Sequence, residues 1–317
     1  MSKNAVAILN WNGAELLKKF LPSVLKHTPQ ADIYVIDNSS TDESLSLLKK
    51  EFPDVKIIRL EKNHGFAEGY NLGIKKIKAD NIVLLNSDVE VTENWLSPLI
   101  SHLNKHPETV ALQPKIKDYK DKKMFEYAGA AGGYLDFFGY PYCDGRKLFK
   151  IEEDKGQYDI EKEIFWASGA CLMIRKKAFE KAGGFDSDYF AHQEEIDLCW
   201  RIHHQGGKIK YIPISTVYHL GGASLNEQNP FKTYLNFRNN LLTLLKNLPA
   251  SHLFPVIFSR LILDGIAGIR YFLRGKPSHT WAIIKAHFGF YKRIPQAWKK
   301  RPQQPIKKYY NKFSIFY

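Results

Sequence analysis

Two acidic stretches of the sequence combine residue types and spacing that suit chemistry on a phosphorylated ligand. In the first, the apolar run 82–85 ends in Asn86, Ser87 and Asp88. A divalent cation such as Mg²⁺ typically takes one or two carboxylates and fills its other positions with phosphate oxygens and water. Asp88 is therefore a candidate cation ligand. The simpler alternative is that Asp88 caps the helix that follows near residue 92.

The second stretch carries three acids within four residues, Glu194, Glu195 and Asp197. Apolar residues recur around them at helical spacing, so the acids fall in the first turn of a helix with one buried face. A carboxylate in that place could take a proton from an attacking hydroxyl group. The alternative is structural, because acids near the start of a helix also stabilise its dipole.

The elements that must position these residues alternate between short apolar strands and amphipathic helices, which predicts an α/β fold with a mostly parallel sheet. Ligands of such sheets bind beyond the carboxyl ends of the strands. Asn10 and Asn12 follow the first predicted strand, Asp37 ends the second and Asn86 ends the fourth. The turn after the first strand, NWNG, has neither the G-x-G-x-x-G pattern of dinucleotide dehydrogenases nor a P-loop.

Length and cysteine content limit the class of protein further. A chain of 317 residues suits one large α/β domain with an appendage. The three cysteines, Cys143, Cys171 and Cys199, are far apart and form no C-x-x-C pair, which favours reduced thiols and a cytosolic setting. The first apolar run is short and predicts a strand rather than a signal peptide.

The net charge of +13 lies entirely in the last part of the chain. Residues 246–317 contain fourteen Lys and Arg against one acid, Asp264, so the first 245 residues hold 32 basic and 32 acidic side chains. The apolar run 253–275 contains Arg260, Asp264, Arg270 and Arg274, which gather on one face of a helix. This favours an amphipathic helix over a transmembrane span.

Basic and aromatic residues mixed beyond that helix favour an anionic membrane surface as the partner of the tail. Packing of the helix against the rest of the protein is the alternative. No RNA- or DNA-binding motif accompanies the charge, so nucleic acid is not an expected partner. The predicted location is cytoplasmic and peripheral, on the inner face of the cell membrane.

Seven segments occur in one order and spacing: ILNWNG, DNSSTDES, NHGFAEGYNLGI, LLNSDV, SGACLMIRKKAF, GGFDSDYFAHQEEIDLCWR and VYHLGGAS. Together they resemble the family 2 glycosyltransferases, close to the bacterial rhamnosyltransferase-like branch, over residues 4–245. The resemblance implies a GT-A fold, a Rossmann-like α/β domain with helices on both faces of a mostly parallel sheet. The implied catalytic domain is 1–228, with a nucleotide-sugar half of about 1–112 and an acceptor half of about 113–228. Residues 229–317 would form a helical, basic extension.

The resemblance also assigns roles to individual residues. Asn86 replaces the first acid of the family's D-x-D-type motif and Asp88 matches the last, so Asp88 would bind Mg²⁺ or Mn²⁺ with help from His219. Glu195 would be the general base, with Glu194 as the alternative. The implied acceptor contacts are Trp166, Ser168 and Asp197, although Trp166 could equally belong to the core. The implied donor contacts are Asn10, Asn12, Asp37, Asn63, Gly65, Asn71, Asn86, Ser87 and Arg238.

The implied reaction is inverting transfer of a sugar from a UDP- or dTDP-sugar to a hydroxyl group. The acceptor would be a glycan or a lipid-linked glycan in cell-surface polysaccharide synthesis. Two alternatives remain open. A sugar nucleotidyltransferase would need a Gly- and Arg-rich phosphate loop after the first strand, which this sequence lacks. A non-catalytic nucleotide-binding module would leave the acids at 194–197 unexplained.

Overall fold

The computed structural model describes residues 2–147, 150–221 and 229–315. Its first half has the strand and helix alternation that the apolar periodicity predicts. The elements are β1 (Asn4–Asn10), α1 (Ala14–His27), β2 (Asp32–Asp37), α2 (Ser44–Glu51), β3 (Lys56–Arg59), α3 (Gly65–Lys76), β4 (Asn81–Asn86), β5 (Val89–Val91) and α4 (Leu96–Lys105).

The second half has a long strand at each end and short strands between them. These elements are β6 (Thr109–Asp118), β7 (Gly133–Leu135), β8 (Pro141–Cys143), β9 (Arg146–Lys147), β10 (Lys150–Ile151), β11 (Lys162–Glu163), β12 (Cys171–Arg175), α5 (Lys176–Lys181), α6 (Glu194–His204) and β13 (Lys208–His219). A single 3₁₀ turn, Ser187–Tyr189, precedes α6.

The central sheet has the strand order β11-β13-β6-β12-β4-β1-β2-β3, and β5 pairs with β13 at the side. Strands β1 to β4 pair in parallel, whereas β12 runs antiparallel between β4 and β6. The register pairs Asn10 with Asp37 and Leu9 with Asn86. The carboxyl ends of three neighbouring strands are therefore level, as expected for a ligand site at this edge.

Each face of the sheet has its own apolar core. Leu17 of α1 and Leu99 of α4 belong to one buried cluster, whereas Tyr70 of α3 and Ile196 of α6 belong to the other. Helices therefore cover both faces of the mostly parallel sheet, which confirms the predicted architecture.

Three helices complete the C-terminal part: α7 (Pro230–Asn247), α8 (Ala250–Leu273) and α9 (Pro277–Lys299). The side chain of Asn229 accepts a hydrogen bond from the Phe231 amide at 2.9 Å, and Pro230 occupies the first turn, which is a favourable start for α7. The predicted division between residues 228 and 229 lies at the end of the undescribed stretch 222–228. That stretch also contains the last three residues of the VYHLGGAS segment.

The C-terminal part is in close contact with the α/β domain. Lys246 near the end of α7 lies 2.8 Å from Asp197 of α6. Beyond α9 the chain returns to the α/β domain, where the Ile306 amide donates to His204 and the Tyr309 hydroxyl donates to the Phe137 carbonyl. Contacts therefore cross the predicted division at both ends of the helical region.

Candidate active site

The nucleotide end of the predicted site consists of the loops after β1 and β2. Asp37 is fully buried, and its Oδ2 accepts a hydrogen bond from the Ser40 amide. Asn10 donates to the Ser40 hydroxyl at 3.2 Å, and Asn12 accepts from the Thr41 amide at 2.7 Å. The two asparagines thus tie the loops together, and Asp37 also forms the turn that its DNSS sequence suggests.

One oxygen of Asp37 is available to a ligand. No described residue donates a hydrogen bond to its Oδ1 or to the Oδ1 of Asn10, although both atoms are buried. A buried acceptor without a partner is costly to the fold, so such atoms often mark a place where a ligand binds. The structure therefore brings Asn10, Asn12 and Asp37 together as predicted, with acceptors suited to a nucleoside.

Asn71 and Gly65 of the NHGFAEGYNLGI segment have contacts within the protein instead of a free face toward a donor, whereas Asn63 is exposed. Asn63 accepts from Asn38 and from the Gly65 amide. Asn71 binds both the amide and the carbonyl of Phe185. Gly65 has a positive φ of 75°, and an added Cβ would lie 2.9 Å from the Phe190 carbonyl oxygen. The prediction of donor contacts is corrected for Asn71 and Gly65, which position the 185–190 loop.

The predicted cation ligands lie side by side. His219 at the end of β13 places its Nε2 3.1 Å from Asp88 Oδ1, and the Leu220 amide donates to the Asp88 carbonyl. Asn86 lies 3.5 Å from the same His219 nitrogen. Ser87 is half-buried between Asn86 and Asp88. Residues 131 positions apart in sequence thus meet at one end of the sheet, as the resemblance implied.

Glu126 is a third member of this group, which the sequence analysis missed. Its Oε1 lies 3.3 Å from His219 Nδ1, and its Oε2 accepts from the Ala128 amide. Burial lowers the pKa of His219, but hydrogen bonds and charge from Asp88 and Glu126 outweigh burial and raise it to about 10. Glu126 lies in an irregular segment, with no motif or periodicity to mark it.

The donor set of this group fits a divalent cation, which would displace the proton of His219 on binding. Cis ligands bound at about 2.1 Å lie roughly 3.0 Å apart, close to the spacing between His219 and Asp88. Over residues 2–147, 150–221 and 229–315, no three His, Cys, Asp or Glu side chains are arranged to hold a metal ion by themselves. A cation here would need further oxygen ligands, and a diphosphate supplies them.

The two candidate bases, Glu194 and Glu195, begin α6. The Oε2 atom of each is buried, with no hydrogen-bond partner among the described residues. Burial raises the pKa of Glu195 to about 7. Burial, followed by the neighbouring Glu195, raises the pKa of Glu194 well above its usual range. The pair therefore offers one carboxylate that is ionised near neutral pH and one carboxyl that keeps its proton.

The two parts of the site are electrostatically connected through Tyr70. Its buried hydroxyl donates to the Leu85 carbonyl at 3.1 Å, next to the end of β4. Burial raises the pKa of Tyr70, and the charges of Asp88 and Glu194 add to that rise. The charges of Asp88 and Glu194 therefore both act on one buried hydroxyl group.

The segment before α6 has an unusual backbone conformation. Phe190, His192 and Gln193 all have positive φ, between 66° and 73°, which costs energy for residues other than glycine. Asn239 of α7 donates to the carbonyls of Tyr189, Ala191 and His192 at 2.8–3.1 Å. The sequence analysis gave Asn239 no role, because only the folded chain shows which loop it reaches.

Arg238 belongs to the same support and not to the donor site. Its guanidinium donates to the carbonyls of Asp188 and Tyr189 and to the side chains of Tyr234 and Asn239. The side chain is buried, so the predicted donor contact is corrected to a positioning role.

The three predicted acceptor contacts are also buried in internal contacts. Asp197 is fully buried between Lys246 and Arg201, whose charges outweigh the effect of burial and hold its pKa well below the usual range. Trp166 donates to the Tyr134 carbonyl at 2.9 Å in the core, and Ser168 donates to the Ala128 carbonyl at 2.8 Å. These three predictions are corrected, because all three polar groups have partners inside the protein.

Two solved structures have a similar fold. GalNAc-T7, solved with UDP, GalNAc and Mn²⁺, superposes with a TM-score of 0.59 at 21% identity, covering 79% of this chain and 49% of that one. S. aureus TarS 1-349 superposes with a TM-score of 0.58 at 16% identity, covering 94% and 83%. At such identities the similarity shows the fold alone, and it confirms the predicted GT-A fold with a helical C-terminal region.

Curated relatives and a family model provide the evidence from sequence. The N-acetylglucosaminyl-diphospho-decaprenol L-rhamnosyltransferase of Mycobacterium tuberculosis is 25% identical over 231 residues, which cover 68% of this chain and 75% of the relative. The low-salt glycan biosynthesis hexosyltransferase Agl10 of Haloferax volcanii is 22% identical over 243 residues, covering 75% and 74%. Both names describe sugar transferases. This favours sugar transfer over nucleotidyl transfer and over nucleotide binding without catalysis. The family model "Glycosyl transferase family 2" matches residues 5–183, more than half of the chain, and the protein therefore belongs to this family of nucleotide-sugar glycosyltransferases.

Proposed function

We propose that the protein is an inverting, divalent-metal-dependent glycosyltransferase that moves a sugar from a UDP- or dTDP-sugar to a hydroxyl of a lipid-linked acceptor. One observation carries the proposal: Asp37 and Asp88, with His219 beside Asp88, lie at or just beyond the carboxyl ends of β2 and β4 of one sheet. Asp37 suits a nucleoside and Asp88 a cation with diphosphate, and Glu195 at the start of α6 would act on an acceptor hydroxyl.

The donor would bind with its nucleoside at the β1 and β2 loops. The free Oδ1 atoms of Asp37 and Asn10 would accept hydrogen bonds from the base or the ribose. Asp88 and His219 would hold Mg²⁺ or Mn²⁺ beside the diphosphate. The cation would supply positive charge that stabilises the departing nucleoside diphosphate.

Glu195 would act on the acceptor. Its carboxylate would take the proton of the acceptor hydroxyl while the hydroxyl oxygen forms a bond to the anomeric carbon. The bond from that carbon to the diphosphate oxygen breaks in the same displacement, and the bonding electrons leave with the nucleoside diphosphate. Attack opposite the leaving group inverts the anomeric configuration. A pKa of about 7 suits a base working near neutral pH.

The proposed acceptor class and location rest on the relatives. The name of the mycobacterial relative describes a rhamnosyl donor and a diphospho-decaprenol acceptor. dTDP-rhamnose and an N-acetylglucosaminyl-diphospho-polyprenol acceptor are therefore the first substrates to test, in the setting of cell-surface glycan synthesis on the cytoplasmic face of a membrane.

The experiment is a transfer assay with a panel of UDP-, dTDP- and GDP-sugars and a short-chain, water-soluble N-acetylglucosaminyl-diphospho-polyprenol acceptor. We expect one donor to give product whose anomeric configuration, determined by NMR, is opposite to that of the donor. Activity should disappear with EDTA and return with Mn²⁺ or Mg²⁺. A product of retained configuration, or activity that is unaffected by EDTA, would refute the mechanism.

A further inference from the structure

Helix α8 turns its polar side toward the protein and its apolar side outward. Arg260 is buried, stacks 3.7 Å from the ring centroid of Tyr140 and donates to the Phe138 carbonyl. Asp264 is fully buried and lies 3.3 Å from His287 of α9. The amphipathic helix predicted from the sequence is therefore present, but Arg260 and Asp264 of its charged face are buried, whereas Arg270 and Arg274 are exposed.

The outward face of α8 is a continuous apolar stripe. Its large side chains recur every three or four residues, and each is more than half exposed. By length and composition, α8 is the one helix among the described residues that could cross a membrane. Only 22% of its most apolar 18-residue segment is buried within the protein. The stripe consists of Phe254, Phe258, Ile262, Ile266, Ile269, Phe272 and Leu273.

Helix α9 packs beside α8 and has a second stripe. The Thr280 hydroxyl donates to the Gly268 carbonyl at 2.8 Å, and the rings of Tyr271 and His279 stack. Three large aromatic side chains of α9 are each more than half exposed: Trp281, Phe288 seven residues later and Trp298 ten residues after that. Ile284 and Tyr291 lie between them in sequence and complete the stripe.

Lysines accompany the α9 stripe on the same face. Lys285, Lys292 and Lys299 recur every seven residues, which places them within about 40° of Trp281 around the helix axis. All three are exposed, and none of them forms an ion pair with a described residue. Long basic side chains beside an apolar stripe can reach headgroup phosphates while their stems lie along acyl chains.

We propose that the α8–α9 hairpin lies in the interface of an anionic lipid bilayer, with both apolar stripes among the acyl chains and the α9 lysines at the headgroup phosphates. This deepens the proposed function, on which it rests for the lipid-linked acceptor, by assigning the surface that brings the enzyme to that acceptor.

A bilayer fits this surface better than a second copy of the chain. A two-fold contact would place the same lysines of both copies in one interface. The one acid of residues 246–317, Asp264, is buried, so the hairpin offers no exposed carboxylate to neutralise them. An anionic bilayer would bury the apolar stripes and also provide negative charge for the lysines.

The packing of α8 also favours a helix that lies on the membrane over one that crosses it. Arg260 and Asp264 are fixed against the α/β domain and α9, and crossing would strip both of these contacts and expose two charges to lipid. In the observed packing Arg260 and Asp264 keep these contacts while the apolar side is open.

The hairpin is connected to the loop before the candidate bases. A Cβ at Gly289 of α9 would lie 3.3 Å from the Arg238 side chain of α7, and Arg238 binds the carbonyls of Asp188 and Tyr189. At the start of α7 the exposed Phe231 contacts Phe190 of the same loop. The hairpin therefore packs against the helix that holds the loop before the candidate bases.

The first experiment measures sedimentation of the full chain with phosphatidylglycerol–phosphatidylcholine vesicles at low salt, without donor or metal. We expect binding, weaker on pure phosphatidylcholine. The double variants Phe258→Gln with Ile266→Gln and Trp281→Gln with Phe288→Gln should each weaken the partition coefficient at least about tenfold, because less apolar surface is buried. The matched control, Ile160→Gln with Ile214→Gln, changes equally exposed side chains of the α/β domain and should bind like the parent.

The second experiment tests the charge. Lys285→Gln, Lys292→Gln and Lys299→Gln combined should weaken binding about tenfold or more at low salt and little at high salt, since each cation near such a surface contributes on the order of 1 kcal/mol. Lys49→Gln, Lys50→Gln and Lys78→Gln form the control. Circular dichroism verifies that every variant is folded.

Two results would overturn the inference: vesicle binding that the stripe variants leave intact, or no vesicle binding together with a dimer in sedimentation equilibrium that those variants dissociate. Because no donor is present, a failure here is distinct from failure of the transfer assay.

Discussion

At the scale of single residues, Glu194 and Glu195 show a conflict between stability and function. The Oε2 atoms of these two adjacent carboxyl groups are buried without hydrogen-bond partners among the described residues, which is unfavourable for folding. Asp197, one turn away, is fully buried but neutralised by Lys246 and Arg201. The difference separates a structural acid from two acids that are available to react.

We predict that Glu195→Gln lowers kcat about a hundredfold or more, because it removes the general base while preserving shape. For the parent, kcat/KM should rise with pH until about 7, where Glu195 loses its proton. The variant should lack that rise. Kinetics from pH 5 to 9 with the best donor provide the measurement. Glu194→Gln is the comparison, and a larger loss there would make Glu194 the base.

The same substitution should stabilise the fold above neutral pH. Glu195 has a folded-state pKa of about 7 against 4.5 for the free side chain, so the folded state binds the proton more tightly. The parent therefore loses stability as pH rises between these values. Glu195→Gln should unfold in urea with about 2 kcal/mol more free energy than the parent at pH 8, and with no advantage at pH 4.5. Exposed Glu15→Gln is the control; an equal gain at both pH values would contradict the linkage.

Asp88→Asn should abolish the divalent-cation dependence of nucleoside-diphosphate binding, because an amide is a far weaker cation ligand than a carboxylate. Calorimetry with UDP or dTDP, with and without Mn²⁺, should show an enhancement of at least about tenfold for the parent and none for the variant. Glu90→Gln is a matched control two residues away, since Glu90 pairs with the exposed Lys122. Unchanged Mn²⁺-dependent binding by Asp88→Asn would refute the role.

The sequence alone could predict which residues follow the ends of strands. It could not predict which of the polar side chains are buried in contacts within the protein. Asn10, Asp37 and Asp88 were identified because strand ends in a parallel sheet share one edge. Arg238 and Asp197 have functional residue types, yet their partners are carbonyls and charges from distant segments. Glu126 had no detectable signal, since it enters the site only through its contact with His219. Long-range pairing decides such roles, and one sequence does not display it.

At the scale of elements, α7 acts as the support of the loop that leads into α6. Phe190, His192 and Gln193, three non-glycine residues within a stretch of four, have positive φ and would relax without an external restraint. Asn239 supplies that restraint through three carbonyls. The parallel strands β1 to β4 were predictable from their apolar runs, whereas the antiparallel placement of β12 depends on pairing that periodicity does not encode.

Asn239→Ala should lower kcat at least about tenfold and destabilise the fold by about 2–3 kcal/mol, because buried carbonyls of the loop lose their donor. Nucleoside-diphosphate affinity should remain, since Asp37 and Asp88 lie on other elements. Steady-state kinetics, calorimetry and urea unfolding separate these effects. Asn236→Ala on the same helix is the control, as Asn236 makes no side-chain hydrogen bond with the described residues. Loss of stability without loss of kcat would mean that the loop needs no such support.

At the scale of the whole molecule, the sequence indicated a neutral catalytic part and a basic tail, and it indicated an amphipathic helix in that tail. Periodicity shows that a helix has two faces and does not show which one is buried. Here Tyr140 and His287 provide partners for Arg260 and Asp264, so the side of the helix that carries these two residues turns inward. The apolar face that remains outside is the reason to treat the tail as a membrane-binding element.

The last prediction compares two acceptors of the same chemistry, one embedded in anionic vesicles and one short enough to stay in water. Membrane docking raises the local concentration of enzyme near an embedded acceptor and does nothing for a soluble one. The α9 variant Trp281→Gln with Phe288→Gln should therefore reduce the apparent kcat/KM for the embedded acceptor about tenfold and leave the value for the soluble acceptor unchanged. The control Ile160→Gln with Ile214→Gln should affect neither. Equal loss with both acceptors would mean that the stripe supports the catalytic loop through α7 instead of binding the membrane that holds the acceptor.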